Sequence, residues 1–231
     1  MKTIGMLGGM SWESSHLYYQ IMNREVQKRL GGVHSMQALM YSFDFGEIKA
    51  LQDEGRWAES SDRLATVGAT LGRGGADFVM ICCNTMHLMA DAVERAAGVP
   101  LLHIADPLGE AIAAKAIRRV GLVGSRHTME KGGIISDRLK EKFGLDILVP
   151  DADDRTEIHR IIVEEFCRGE FRDDARVTHH RVFESLVARG AEGVILGCTE
   201  IPILMEGEAA IVPLFDTTSL HALAAVERAL A

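Results

Sequence analysis

The chain repeats one hydrophobic pattern many times: a short apolar run, a break at glycine or a small polar residue, then a longer stretch with apolar residues three to four positions apart. Thr3 to Leu7 is the first run, and Gly8-Gly9 ends it, so a buried strand and a tight turn are predicted. Ser11 at an N-cap position and Glu13 in the first turn predict a helix to about Leu30, stopped by Gly31-Gly32. Met36 to Phe43 reads as the second strand. Arg56 to Arg73 has helical periodicity through Leu64, Val67 and Leu71, and ends at Gly74-Gly75. Phe78 to Ile81 is a buried strand that breaks at Cys83-Asn84-Thr85. A helix from Met86 to Ala97 follows, stopped by Gly98. Pro100 to Ala105 predicts a strand, and Asp106-Pro107 a helix with a capping Asp and Pro at its first position.

The pattern then restarts. Arg119-Val-Gly-Leu-Val-Gly124 parallels Thr3-Ile-Gly-Met-Leu-Gly8. Thr128 is the expected cap of a helix running towards Phe143, with Glu130 in its first turn. Leu145 to Val149 is a strand, and helices are expected over Asp154 to Arg168 and Asp173 to Arg189. Strands ending at Cys198 and over Ile211 to Phe215 follow, with Thr217 or Thr218 capping a last helix. Strand-helix alternation favours parallel sheets with right-handed crossovers. The fold class predicted is α/β, with two pseudo-twofold-related Rossmann-like lobes. Each is a parallel sheet flanked by helices, and the active site is expected between them. Residues 1–104 with 216–231 would form one lobe and residues 105–215 the other.

Composition narrows the function classes. The chain has 231 residues, 47% of them hydrophobic, so a substantial core is available. A formal net charge of −8 argues against nucleic-acid binding, which leaves a basic footprint. No apolar run approaches the roughly 18 residues that span a bilayer, and the start lacks a signal-peptide pattern. The four cysteines, Cys82, Cys83, Cys167 and Cys198, show no disulfide or CxxC spacing. A reduced, cytoplasmic protein with no membrane partner is expected.

The candidate chemistry lies in the cysteines. Cys83 and Cys198 each end a buried strand and precede Asn-Thr or Thr at a helix start. Open α/β folds bind ligands beyond the carboxyl ends of their strands, and a helix start lowers a thiol pKa. Two such thiols on opposite faces of a carbon can remove a proton from one face and deliver one to the other. Cys82 alternates to the other side of its strand and reads as core, as does Cys167 in a helix. Backbone N–H groups of the Gly8-Gly9-Met10-Ser11 turn suit a carboxylate, and Asn84, Thr85, Thr128 and Thr199 supply donors in the matching turns. Glu200 is a candidate for contact with a substrate ammonium or for orienting a neighbour. His87, one turn beyond Cys83, either tunes it or makes a local hydrogen bond. His179-His180 falls on a polar stretch and reads as solvated surface. The glycines fit neither a dinucleotide fingerprint nor a P-loop, and Cys83 with His87 matches no zinc pattern.

Gly5-Met-Leu-Gly-Gly-Met-Ser-Trp-Glu-Ser14, Cys83-Asn-Thr-Met-His87, Gly197-Cys-Thr-Glu-Ile-Pro202 and Phe215-Asp-Thr-Thr resemble the aspartate/glutamate racemase family over essentially the whole chain. Ser42-Phe-Asp-Phe45 and Arg126-His-Thr-Met-Glu130 are similar to segments of its broad-specificity amino-acid racemases. The resemblance implies a racemase that needs no cofactor, neither pyridoxal phosphate nor metal. It implies catalysis by Cys83 and Cys198, substrate contacts from Met10, Ser11, Asn84, Thr85, Thr128, Met129, Thr199 and Glu200, and a homodimer. Members strict for aspartate carry a basic residue where this chain has Ile48, between Glu47 and Lys49. A second basic position falls near Cys167-Arg168. A broad or non-acidic substrate preference follows. The other readings are a strict aspartate or glutamate racemase, a cysteine-dependent hydantoin racemase or maleate isomerase, and a two-lobed small-molecule binding protein without turnover.

Overall fold

The structure, a computed structural model, describes residues 1–130 and 133–231. The chain divides into two compact units, Met1–Ile104 with His221–Ala231, and Ala105–Leu220.

In the first unit the elements run β1 (Ile4–Gly8), α1 (Trp12–Leu30), β2 (Ala38–Ser42), α2 (Phe45–Asp53), α3 (Trp57–Arg73), β3 (Phe78–Ile81), a 3₁₀ segment (Thr85–Met89), α4 (Ala90–Ala97) and β4 (Leu101–Leu102). The strands pair in parallel in the order β2-β1-β3-β4. Leu7 lies opposite Ile81, so the loops after β1 and β3 leave the same edge side by side. Side chains alternate between the faces of this sheet. Ile4, Met6, Phe78, Met80 and Cys82 pack on one face with Tyr18, Met22 and Val26 of α1. Leu7, Val79 and Ile81 pack on the other with Leu64, Val67 and Leu71 of α3, and Cys83 leans on this second cluster. Cys82 and Cys83 thus fall on opposite faces, as the period of two requires. α3 and α4 approach so closely that a Cβ on Gly72 would lie 2.0 Å from the Ala97 carbonyl oxygen.

The second unit runs α5 (Ala105–Ala113), β5 (Arg119–Gly124), α6 (Arg126–Met129), α7 (Ile134–Phe143), β6 (Asp146–Leu148), α8 (Ala152–Glu164), a 3₁₀ segment (Phe166–Arg168), α9 (Asp173–Ala188), β7 (Val194–Gly197), α10 (Ile201–Leu204) and β8 (Leu214–Asp216). Its strands are again parallel, in the order β6-β5-β7-β8. Gly124 lies opposite Gly197. Ile158, Ile161, Phe166, Val182, Phe183, Leu186 and Leu196 form its core. The final helix, α11 (Thr217–Leu230), carries the chain back into the first unit, where Ala222, Ala225, Val226 and Ala229 complete the first cluster. The α/β class with two parallel sheets flanked by helices is therefore as expected.

Several local expectations need correction. α2 lies where no helix was expected, and Asp44 caps it by accepting from the Gly46 N–H at 2.9 Å. The helix placed from Met86 begins as a 3₁₀ turn and becomes α-helical only at Ala90. Thr128 does not cap a helix. It lies inside the one-turn α6, whose cap is Ser125, and the next helix begins only at Ile134. Asp106 sits in the first turn of α5 and not before it; its carboxylate takes both Arg138 Nε and Nη2, at 2.7 and 2.8 Å. The cap of α11 is Asp216, which accepts from the Thr218 and Ser219 N–H groups, not Thr217 or Thr218. His179 is fully buried against Phe166 and Phe183, contrary to its surface assignment, while His180 does reach Glu208 near solvent.

Candidate active site

Parallel strands present free backbone groups at their carboxyl edges, and each unit places its candidate residues there. In the first unit these are Met10 and Ser11 after β1 and Cys83, Asn84 and Thr85 after β3. Gly9 has φ +85°, and a Cβ there would sit 2.4 Å from the Phe43 backbone, so only glycine allows this turn to approach the end of β2. The Gly9 N–H is not free for a ligand, because Ser15 Oγ accepts from it at 2.8 Å. Ser11 holds the N-cap position of α1 without a side-chain cap bond; its carbonyl accepts from Ser14 and Ser15 hydroxyls at 3.0 and 2.9 Å. Met10 is 3% exposed and packs in the core with Ile48. Only its backbone can serve a substrate.

Cys83 is partly exposed, unlike Cys82, whose thiol pKa burial pushes far up. The Cys83 loop is anchored by His87. Its Nδ1 lies 2.8 Å from the Cys83 carbonyl, and its Nε2 accepts the Ile104 N–H at 3.1 Å. Those two bonds define a neutral imidazole with the proton on Nδ1. His87 is fully buried, with the His103 and His221 rings 4.6 and 5.7 Å away. Of the two roles open to His87, the local hydrogen bond is the one observed: it fixes the backbone of Cys83.

In the second unit the site residues gather after β5 and β7. Thr128 is 4% exposed, its Oγ1 lies 3.1 Å from Ser125 Oγ, and its methyl group faces Gly124 and Gly197. Met129 belongs to the core. After β7, Cys198 Sγ donates to Glu200 Oε2 at 3.0 Å, and Thr199 Oγ1 donates to the same oxygen at 2.8 Å. All three residues are at most 9% exposed. Burial first, and the Glu200 carboxylate second, raise the Cys198 thiol well above its ordinary pKa. A helix start was expected to lower it. α10 is a single turn, Ile201–Leu204, too short a dipole to outweigh burial and a carboxylate.

Two contacts of the site are more specific than the sequence reading. Of the two roles open to Glu200, contact with a substrate ammonium or orienting a neighbour, its carboxylate meets the neighbouring thiol. Cys167, read as ordinary core, is partly exposed and packs near enough to Cys198 to act on its titration. The signal for the first was present in Cys-Thr-Glu, where an acid two residues beyond a cysteine can turn back on it. The second depends on tertiary packing. Among the described residues no group of three or more His, Cys, Asp or Glu side chains is arranged to hold a metal ion. No helix among them is long and apolar enough to cross a membrane.

Comparison with known proteins places these motifs. A sequence profile of the family described as Asp/Glu/Hydantoin racemase matches residues 7–225. A crystal structure of a proposed Asp/Glu racemase from Yersinia pestis is 44% identical, covers 100% of both chains and superposes with a TM-score of 0.91. An aspartate racemase homologue from Pyrococcus horikoshii is 31% identical over 100% of both chains, with a TM-score of 0.82. The glutamate racemase of Pseudomonas aeruginosa is 25% identical over 193 residues, covering 82% of this chain and 68% of its own.

Proposed function

We propose, from the premise that this chain belongs to the Asp/Glu/Hydantoin racemase family, that it racemises amino acids by two-thiol proton transfer without a cofactor. One cysteine from each unit acts on one face of the same Cα. The observation that carries this reading is the matched placement of Cys83 and Cys198. Each stands just beyond the third strand of its unit's parallel sheet, Cys198 directly and Cys83 after Cys82, at the carboxyl edge and followed by a buried Asn84 or Thr199. Inversion needs a base on one side of the carbon and an acid on the other. The base takes the α-proton, and the electron pair left on Cα spreads into the substrate carboxylate. The acid then protonates the opposite face. Donors of the turns that hold Ser11 and Thr128 are assigned to that carboxylate; the Thr128 N–H itself is taken by Ser125.

The preferred substrates are broad or non-acidic. The Ile48 side chain is fully buried in the core. Beside it Lys49 pairs with Asp53, and Glu47 pairs with Arg63. Asp44 caps α2 in the same loop. This loop therefore offers a substrate's side-chain carboxylate no unpaired cation among the residues named. The relatives called glutamate racemase and aspartate racemase homologue favour the second reading, strict action on a dicarboxylic amino acid. The assembly assigned from the family resemblance is a homodimer.

The test is chiral chromatography of a panel of L- and D-amino acids, acidic, neutral and basic, together with hydantoins and maleate, with no cofactor added. Cys83→Ala and Cys198→Ala are each expected to lose racemisation by at least about 10³-fold, because the thiols act as a unit. Cys82→Ala and Cys167→Ala are expected to retain it. Turnover by Cys83→Ala at wild-type rate removes the two-thiol reading, and turnover of aspartate or glutamate alone removes the broad preference.

A further inference from the structure

We propose that Glu200 holds Cys198 as a protonated thiol, so that Cys198 rests as the acid of the pair and Cys83 is the group that takes the first proton. This rests on the two-thiol reading above and assigns the roles within it.

The geometry is specific. Sγ and Oε2 are 3.0 Å apart, with the sulfur as donor and the carboxyl oxygen as acceptor. Contact at that distance needs a proton between the two groups; with the sulfur as donor it lies on Sγ, and a thiolate facing an ionised carboxylate would be repelled. Thr199 Oγ1 donates to the same oxygen from the other side at 2.8 Å. Two donors on one oxygen hold the Glu200 carboxyl group aimed at the sulfur. Glu200 is 3% exposed, so solvent does little to screen the pair. Burial, the charge of Glu200 and Cys167 favour the protonated form of this sulfur, and the smallest contribution, a hydrogen bond from the Glu200 backbone, acts the other way. The first unit is built differently at the matching position. Two residues beyond Cys83 stands Thr85, which brings no carboxylate.

The proton balance closes without a further reactant. The Cys83 thiolate takes the α-proton, breaking Cα–H and forming S–H. The electron pair is held by the substrate carboxylate. The Cys198 S–H bond breaks, and its proton forms the new Cα–H bond on the opposite face. Cys198 is then a thiolate beside Glu200, and it recovers a proton from water while the Cys83 thiol returns one. The other enantiomer requires the reverse resting state, which Glu200 disfavours.

Site-resolved alkylation by iodoacetamide, quantified peptide by peptide across a pH series, reads each thiolate separately and needs no turnover. In the wild-type protein, Cys198 is expected to react only well above the pH at which Cys83 does. Glu200→Gln removes the charge but keeps the shape, and is expected to move the Cys198 profile to lower pH by about one unit or more, roughly tenfold faster labelling at neutral pH. The Cys83 profile stays in place, and Glu200→Asp moves Cys198 part of the way back. A Cys198 profile that is unmoved in Glu200→Gln overturns the proposal. So does a wild-type Cys198 that reacts as readily as Cys83, a comparison that holds even if the variant fails to fold. Unequal profiles in a protein without racemase activity would leave the proton assignment standing and remove the function.

Discussion

At His179 a buried imidazole stands where polar neighbours suggested a surface residue. Its Nδ1 bonds the Ala175 carbonyl at 2.7 Å, and its Nε2 has no partner among the described residues. Burial pushes its pKa from 6.5 down to about 4. The folded state thus stays neutral where the unfolded chain takes up a proton. The stability this provides is complete above pH 6.5 and is lost as the pH falls towards 4, by up to about 3 kcal/mol. His179→Leu is expected to flatten this part of the pH profile of urea unfolding; an unchanged slope would show that other groups set it. The residue scale also shows where sequence reading stops. Cys83 and Cys198 were legible because a cysteine at a strand end, followed by small polar residues, has few bland explanations. The burial of His179 was not, since its neighbours Arg181 and Asp173 are charged and only the Ala175-His179-Val182-Leu186 spacing marks the inward face. The Glu200–Cys198 contact was legible only in part: Cys-Thr-Glu allows the acid to orient a neighbour, but the turn that caps α10 decides that it meets the thiol.

The long elements were legible for a physical reason. Each buried strand is a continuous apolar run, and α1, α3 and α4 end at a glycine, with φ 76° at Gly31 and 66° at Gly98. Short elements were not. The nine-residue α2 has Gly46 in its first turn and only Ile48 and Leu51 buried, which is too few to set a helical period. Around Thr128, Ser125 offered a competing cap, and the side-chain bond within Ser125-Arg126-His127-Thr128 closes a single turn. Packing between elements is tested most simply at Gly72. Ala in its place drives a methyl group into the Ala97 carbonyl, and the α3–α4 contact must open. Gly72→Ala is expected to destabilise the first unit by about 1–3 kcal/mol despite its better helix propensity. Urea denaturation checks this, and a stabilised variant would mean that the helices separate freely.

For the whole molecule, the repeat visible between Thr3-Ile-Gly-Met-Leu-Gly8 and Arg119-Val-Gly-Leu-Val-Gly124 reappears as two sheets with equivalent strand order. That equivalence puts one cysteine at the carboxyl edge of each unit, while the residues around the two cysteines differ, with His87 binding the Cys83 carbonyl and Glu200 the Cys198 thiol. Inversion through two unlike thiols leaves an isotopic signature that no single base reproduces. The measurement is mass and NMR analysis of both enantiomers during the first turnovers in D₂O, starting from one pure enantiomer of the best substrate and with no cofactor added. The account predicts that the newly formed enantiomer carries deuterium at Cα from the outset, while the remaining starting enantiomer keeps its hydrogen. Product that retains the original hydrogen, or deuterium entering both enantiomers equally from the start, would contradict it.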